Sequence, residues 1–515
     1  MSTATSAQVS TGRVLGHVDR GAEPVPARMF VGGQWREGSS GGRLDCVDPT
    51  TEELLGTVPA GTATDADLAV VAAQEASGGW AALGWARRAA LLRDLADAVD
   101  ERAEELARLD ALDGGNPIAA MRADVASATA ELRYFAGLAG QTHGATVPTG
   151  AGVLTYTTRE PYGVVLRIVP FNHPFKFACG KAAAGLAAGN AVIVKPGEQT
   201  SLSAVALAEI AESVLPPGVL SVVTGTGTEV GNALVAHPGV PRVAFTGSVP
   251  TGRRILATAA ANISHVSLEL GGKNPLVVCP DVDPVWSART AVASMNIARS
   301  NGQSCGSTSR VYVHEAIREP FLAALAQRLA QLRVGDPLDD ATDVGPLAFA
   351  AHHSRVLGHI ERALAAGAVP IAGGGRPGGL DRGYFVAPTA FAGVTDDMAI
   401  AREEVFGPVM AVLAWTDLDD VVRRANASEL GLTAAVHTRD VGVAHRLAAA
   451  LQAGHVSVNG TGRRPQGTPF GGWKHSGLGT ENSPEELLSY TRLKAVTITD
   501  LAQPPAWART PEGSR

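Results

Sequence analysis

Glu269 and Cys305 are the residues whose settings most invite chemistry. Glu269 opens the run Glu269-Leu270-Gly271-Gly272-Lys273, and Cys305 closes Gly302-Gln303-Ser304-Cys305, 36 positions further on. A thiolate nucleophile and a carboxylate base are what an enzyme needs to form a thioester and then hydrolyse it. Glu269 follows the apolar Val266-Ser267-Leu268, and a carboxylate among apolar residues has a raised pKa, which suits a base for water. It reads equally as an edge-of-sheet Glu in a salt bridge. The Gly271-Gly272 pair would let another molecule approach the backbone closely. Cys305 has small polar neighbours, whereas Cys279 sits in the core-like Val277-Val278-Cys279-Pro280. Locally, a packing thiol at Cys305 stays open. Asn172, between Pro170 and Pro174, can donate its amide to an oxygen gaining charge, or mark a turn before a helix.

The elements that must position these residues alternate. Val164 to Val169 is strand-like, Phe175 to Ala188 helix-like with a Gly189-Asn190 stop, and Ala191 to Val194 strand-like. The pattern continues with a helix over 201–214, a strand over 220–223, a helix over 228–236, a strand over 242–245, a helix over 252–262 and a strand over 265–270. Short apolar strands between helices indicate βαβ units and a parallel sheet covered on both faces. A second alternating region begins at Pro275 and includes a helix ending near Asn301, a strand over 310–313 and helices over 317–332 and 350–366, with a Gly-rich loop over 372–383. Residues 65–113 carry helical periodicity. The segments 152–158 and 489–499 fit neither region and look like exposed strands that want a partner.

With 515 residues there is chain for about three domains. The 45% hydrophobic and 18% charged composition is that of an ordinary globular enzyme. A net charge of −7 without a basic stripe argues against nucleic acid. Cys46, Cys179, Cys279 and Cys305 are too scattered for a disulfide framework or zinc site, and no metal is expected. There is no signal-like or spanning apolar run. A cytoplasmic protein with reduced thiols and no membrane contact is expected.

Together with Pro170-Phe171-Asn172-His173-Pro174, Glu403-Glu404-Val405-Phe406-Gly407-Pro408 and Pro469-Phe470-Gly471-Gly472, the two opening motifs resemble the aldehyde dehydrogenase superfamily, in its order and over nearly the whole chain. The resemblance implies an α/β fold with a Rossmann-type cofactor domain (28–143 and 162–272), an α/β catalytic domain (273–475) and a small oligomerisation β-extension (144–161 and 488–501). Residues 1–27 and 502–515 are expected as flexible tails. It implies Cys305 as nucleophile, its thiol activated by the nicotinamide ring and backbone amides, with no motif-placed His partner. It further implies Asn172 in an oxyanion hole with the Cys305 N–H, and Glu269 as general base. Lys181 and Glu481 match positions thought to pass protons away, although Thr480 stands where many relatives have Arg.

For the cofactor, Lys195 and Glu198, in Lys195-Pro196-Gly197-Glu198, match positions that hold the adenosine ribose. A carboxylate there would repel a 2′-phosphate, so NAD should be preferred to NADP. Phe245-Thr246-Gly247-Ser248 with Gly252 reads as strand, turn and helix start, a setting that attracts phosphate. Gly225, Gly227 and Gly231 have one residue too many for the usual dinucleotide fingerprint and read equally as a helix-start cluster. Glu404 and Phe406 match positions at the nicotinamide ribose and ring, although the pair Glu403-Glu404 alone looks solvated. The resemblance also lays Ile168, Pro170, Phe171, Leu270 and Gly271 along the cofactor.

Gly180, Gly306, Gly460 and Gly462 stand where many relatives carry bulk, which suggests a roomy tunnel. His173, Phe177, Ser304, Gly306 and Phe470 would line it. Arg463 and Arg464 lie in the loop at its mouth, where a guanidinium could pair with a substrate carboxylate or simply be solvated. The implied activity is NAD-dependent oxidation of an aldehyde, aromatic or acid-bearing, to its acid by a homodimer or homotetramer. Transfer to CoA is the rival, disfavoured by Glu269, and a non-catalytic protein on the same fold is the other.

Overall fold

The computed structural model describes residues 15–462 and 464–499. Arg463, the start of the expected N-terminal tail and the expected C-terminal tail lie outside these. The described part of the N-terminal segment is fastened to the body. Leu15 is buried, Arg20 Nε donates to Asp48 at 2.5 Å, and Val25–Pro26 pairs with Gly56 and Thr57. The expectation of a free tail does not hold over 15–27.

The larger sheet runs in the order Gly477–Leu478, His265–Glu269, Arg242–Thr246, Val164–Ile168, Ala191–Lys195, Leu220–Val222, Met29–Val31, Gln34–Arg36. Its five central strands are parallel and its edges antiparallel. Four of the five residues in Val164–Ile168 and all five in Ala191–Lys195 are buried, as strands covered on both faces must be. From Val164–Ile168 the chain steps outward through 191–195 and 220–222, then returns to the other side for 242–246 and 265–269. This reversal opens a crevice beyond the carboxyl ends of Val164–Ile168 and Arg242–Thr246, where open α/β sheets bind ligands. Pro170, Phe171, Gly247 and Ser248 lie there because they follow those strands.

A second sheet runs Val369–Ala372, Thr389–Ala392, Val409–Trp415, Arg310–His314, Pro275–Val278, Thr433–His437, His455–Val458, parallel except at its first pair. The two extended segments that lacked a partner pair with each other. Thr491–Thr499 lies antiparallel to Val153–Pro161 along nine residues, and Thr146–Val147 adds a third strand.

Several helices differ from expectation at points of backbone geometry. The periodic region divides into Ala63–Ala82, Gly84–Glu101 and Ala103–Gly114, with Gly84 left-handed at φ +74°. The expected helix over 228–236 is a wide turn, Gly227–Gly231, closed by a bond from Gly231 N–H to Thr226 O, then a short helix Asn232–Ala236. The helix before Cys305 breaks at Asn296 (φ +55°) into Pro284–Ser294 and Ile297–Ser300. Ile118–Leu138, on which the sequence reading placed nothing, packs against Pro174–Ala187.

Candidate active site

Cys305 is carried by a loop fixed at every turn. Gly302 is left-handed, and a Cβ there would come 2.3 Å from Gly407 O. Asn301 donates to Pro346 O at 2.8 Å and accepts from Gly345 N at 2.8 Å. Gln303 Oε1 accepts from Ala348 N at 3.1 Å. Asn274 Nδ2 donates to Cys305 O at 2.7 Å and Ser307 O at 2.9 Å, while its Oδ1 accepts from Thr433 N. Asn274, in the run after Gly271-Gly272, ties the Cys305 loop to the second sheet, a role its sequence context does not signal.

Asn172 is buried and donates through Nδ2 to Gln303 O at 2.8 Å, with its own carbonyl held by Asn116. An amide has two N–H groups, so one remains. The Cys305 N–H makes no hydrogen bond among the described residues. These are the two donors an oxyanion hole requires.

Glu269 ends its strand, paired with Thr246 and Gly477. Burial pushes its carboxyl up to about 8 against the pull of Lys181, and Oε1 has no hydrogen-bond partner. A carboxylate so placed is a poised base for water. The Cys305 thiol is pushed above its ordinary range by burial, then by Glu269 and Glu404. The protein alone therefore favours the neutral thiol. Lys181 is drawn to Glu481, whose other oxygen accepts from Arg167.

The cofactor candidates gather at the crevice. Lys195 Nζ donates to Pro196 O, and burial lowers its pKa to about 8. Glu198 accepts from Gly227 N at 3.2 Å, and Gly231 lies 3.9 Å from the Lys195 side chain where a Cβ would stand. Ser248 precedes the helix Val249–Ala259 without capping it, and buried Thr246 Oγ1 has no partner. Free N–H groups, a carboxylate and a lysine around glycines fit a dinucleotide. Ile168 ends one strand beneath and Phe245 is the last residue but one of its neighbour, Leu270 packs against Gly252, and Phe171 stacks edge-on to Phe406 at 5.8 Å. What approaches the Gly-Gly pair is Glu404. Its Oε1 accepts from Gly272 N at 2.9 Å, and its Oε2 lies 2.0 Å from where a Gly271 Cβ would be.

Asn172, Glu269 and Cys305 open into one cavity of about 650 Å³, a common size for a small-molecule site. His173, Phe177, Lys181, Ser304, Gly306, Arg464 and Phe470 line it as well, whereas Glu481 and the cofactor candidates lie outside. Arg464 stacks 3.7 Å from the Phe470 ring centre and makes no hydrogen bond or ion pair among the described residues. Two glycines do not act as expected. Gly460 is not on the wall, and the space beside Gly180 is taken by Glu131, whose Oε2 lies 2.3 Å from where a Cβ would stand.

The model of the Aldehyde dehydrogenase family matches residues 35–496. The chain belongs to the aldehyde dehydrogenase family. It is 43% identical over 476 residues to betaine aldehyde dehydrogenase of Brucella canis, covering 92% of this chain and 97% of that protein. The NAD+ complex of aldehyde dehydrogenase from Bacillus cereus superposes with a TM-score of 0.89 at 39% identity, covering 92% of this chain and 96% of that one. A 3,6-anhydro-L-galactose dehydrogenase solved with NADP gives 0.90 at 33%, covering 92% and 99%. This aldehyde dehydrogenase is thus an aldehyde-oxidising oxidoreductase. Among its described residues no helix is long and apolar enough to cross a membrane.

Proposed function

We propose that the chain oxidises an aromatic or acid-bearing aldehyde to its carboxylic acid with NAD, through a thioester on Cys305 hydrolysed by water that Glu269 activates. The observation that carries the chemistry is the opening of the thiol, the orphaned Glu269 carboxylate and the Asn172 amide into one cavity. Cys305 Sγ, its proton lost to solvent in the cavity, adds to the carbonyl carbon, and the new oxyanion is met by the Asn172 amide and the Cys305 N–H. NAD, if bound in the crevice, would supply the hydride acceptor, and loss of hydride from the tetrahedral carbon would leave a thioester on Cys305. Glu269 then takes a proton from water, whose oxygen attacks the thioester and releases the acid and the thiol. Lys195, Glu198, Gly231, Gly247, Ser248, Glu404 and Phe406 would hold the dinucleotide. Solved relatives carry either NAD+ or NADP, and the Glu198 carboxylate supports NAD by repelling a 2′-phosphate.

The acid-bearing substrate rests on Arg464, whose guanidinium faces the tunnel without a counter-ion among the described residues. It would repel a cationic aldehyde and pair with a carboxylate. The pairing of Thr491–Thr499 with Val153–Pro161 leaves the outer edge of Thr491–Thr499 open, which supports a homodimer or homotetramer. Four free cysteines support a reducing, cytoplasmic setting. An NADH-absorbance assay over acetaldehyde, benzaldehyde and carboxybenzaldehyde, with and without CoA, tests the reading. Acid and NADH without CoA are expected. Strict dependence on CoA would replace hydrolysis with acyl transfer, and a preference for acetaldehyde would reject the substrate class.

A further inference from the structure

His173 follows the oxyanion donor Asn172, yet no step above uses its imidazole. The residue is 8% exposed and its ring lines the cavity, edge-on to Phe177 at 5.2 Å. Its Nδ1 lies 2.5 Å from Asp124 Oδ2. Asp124, wholly buried on the helix Ile118–Leu138, accepts at its other oxygen from Arg299 Nη2 at 2.8 Å. Both carboxylate oxygens are engaged, so the ring is held in one orientation. The far nitrogen, Nε2, makes no hydrogen bond among the described residues and is not among their sealed, unsatisfied atoms.

Burial opposes ionisation of Asp124, but the His173 ring N–H it accepts from and the cations Lys176 and Arg299 hold its carboxyl below the usual range. Burial lowers the His173 pKa more than Asp124 raises it. A neutral ring facing a carboxylate carries its proton on Nδ1, and Nε2 is then an acceptor. An apolar wall needs no such arrangement. A buried aspartate, an arginine and a histidine aim one lone pair into the tunnel.

We propose that His173, oriented by Asp124 and Arg299, is a specificity-determining residue that accepts a hydrogen bond from a hydroxyl group on the aldehyde substrate. This rests on the aldehyde reading above and narrows it to hydroxylated aldehydes. A site built to bind a substrate hydroxyl rejects analogues lacking it far more strongly than an apolar pocket sorts by size.

The test compares kcat/KM for 2-, 3- and 4-hydroxybenzaldehyde with their methoxy counterparts, which cannot donate, using the full chain and NAD. At least one hydroxy isomer should exceed its counterpart by about tenfold or more. His173→Phe should bring that ratio to within about threefold of one, whatever it does to absolute rates. Asp124→Asn keeps the ring but frees its tautomer, and should lower the same ratio; it decides the matter if His173→Phe does not fold. Ratios near one in the unmodified protein, or a ratio that either folded variant leaves intact, would overturn the inference. Absence of NADH from every aldehyde would instead remove the reading on which it rests.

Discussion

Arg167 and Lys181 hold opposite oxygens of the same carboxylate. Arg167 Nη2 donates to Glu481 Oε1 at 2.5 Å, and Lys181 Nζ is bonded to Oε2. All three side chains are buried. Burial works against the charge on Glu481, but Arg167 and then Lys181 outweigh it and keep the carboxyl below its usual range. A carboxylate so clamped is a poor acceptor for a proton from Lys181. The geometry favours Glu481 as an anchor that fixes the ammonium near Glu269, rather than as the next carrier in a relay.

Removing the carboxylate would leave two buried cations without compensation, which costs about 3–5 kcal/mol. Glu481→Gln is therefore expected to lower the unfolding free energy in urea by that amount. A loss under about 1 kcal/mol would show that Glu481 is not what holds Arg167 and Lys181.

In the proposed scheme Glu269 is expected to set the pH dependence of turnover. Burial favours its neutral form up to about 8, and only the ionised form can take a proton from water. When hydrolysis limits, kcat should rise with pH through that value and level off above it. A profile flat between about 6 and 9 would assign the base elsewhere.

The residues that meet at the cavity, Cys305 and Glu269 above all, were legible because their signals are local. Cys305 differs from Cys279 in its immediate neighbours, and Glu269 is marked by two glycines. The second wall was not legible. Asp124 and Glu131 lie on a helix some fifty residues before Asn172 and, as sequence, look like any charged helix surface. Only the packing of Ile118–Leu138 against Pro174–Ala187 turns them inward. Gly180 misled for the same reason, since its missing side chain makes room for Glu131 rather than for substrate. The parallel strands were readable from apolar runs, whereas the pairing of 491–499 with 153–161 is between segments too distant for periodicity to reveal.

Glu198 is expected to set the choice of dinucleotide. Glu198→Gln should narrow the kcat/KM advantage of NAD over NADP by removing the repulsion of a 2′-phosphate. Equal or better use of NADP by the unmodified protein would contradict the assignment.

Arg464→Ala should cost carboxybenzaldehyde about 1.5–3 kcal/mol, one to two powers of ten in kcat/KM, and benzaldehyde much less. Equal losses would leave Arg464 as a packing partner of Phe470.

Rapid mixing of Glu269→Gln with aldehyde and NAD tests the two-step scheme most directly. The account predicts a burst of NADH approaching one equivalent per active site, then a steady rate reduced by about two powers of ten or more, with no burst in Cys305→Ala. A Cys305→Ala protein turning over at the unmodified rate, or a Glu269→Gln protein whose steady rate is unchanged, would contradict it.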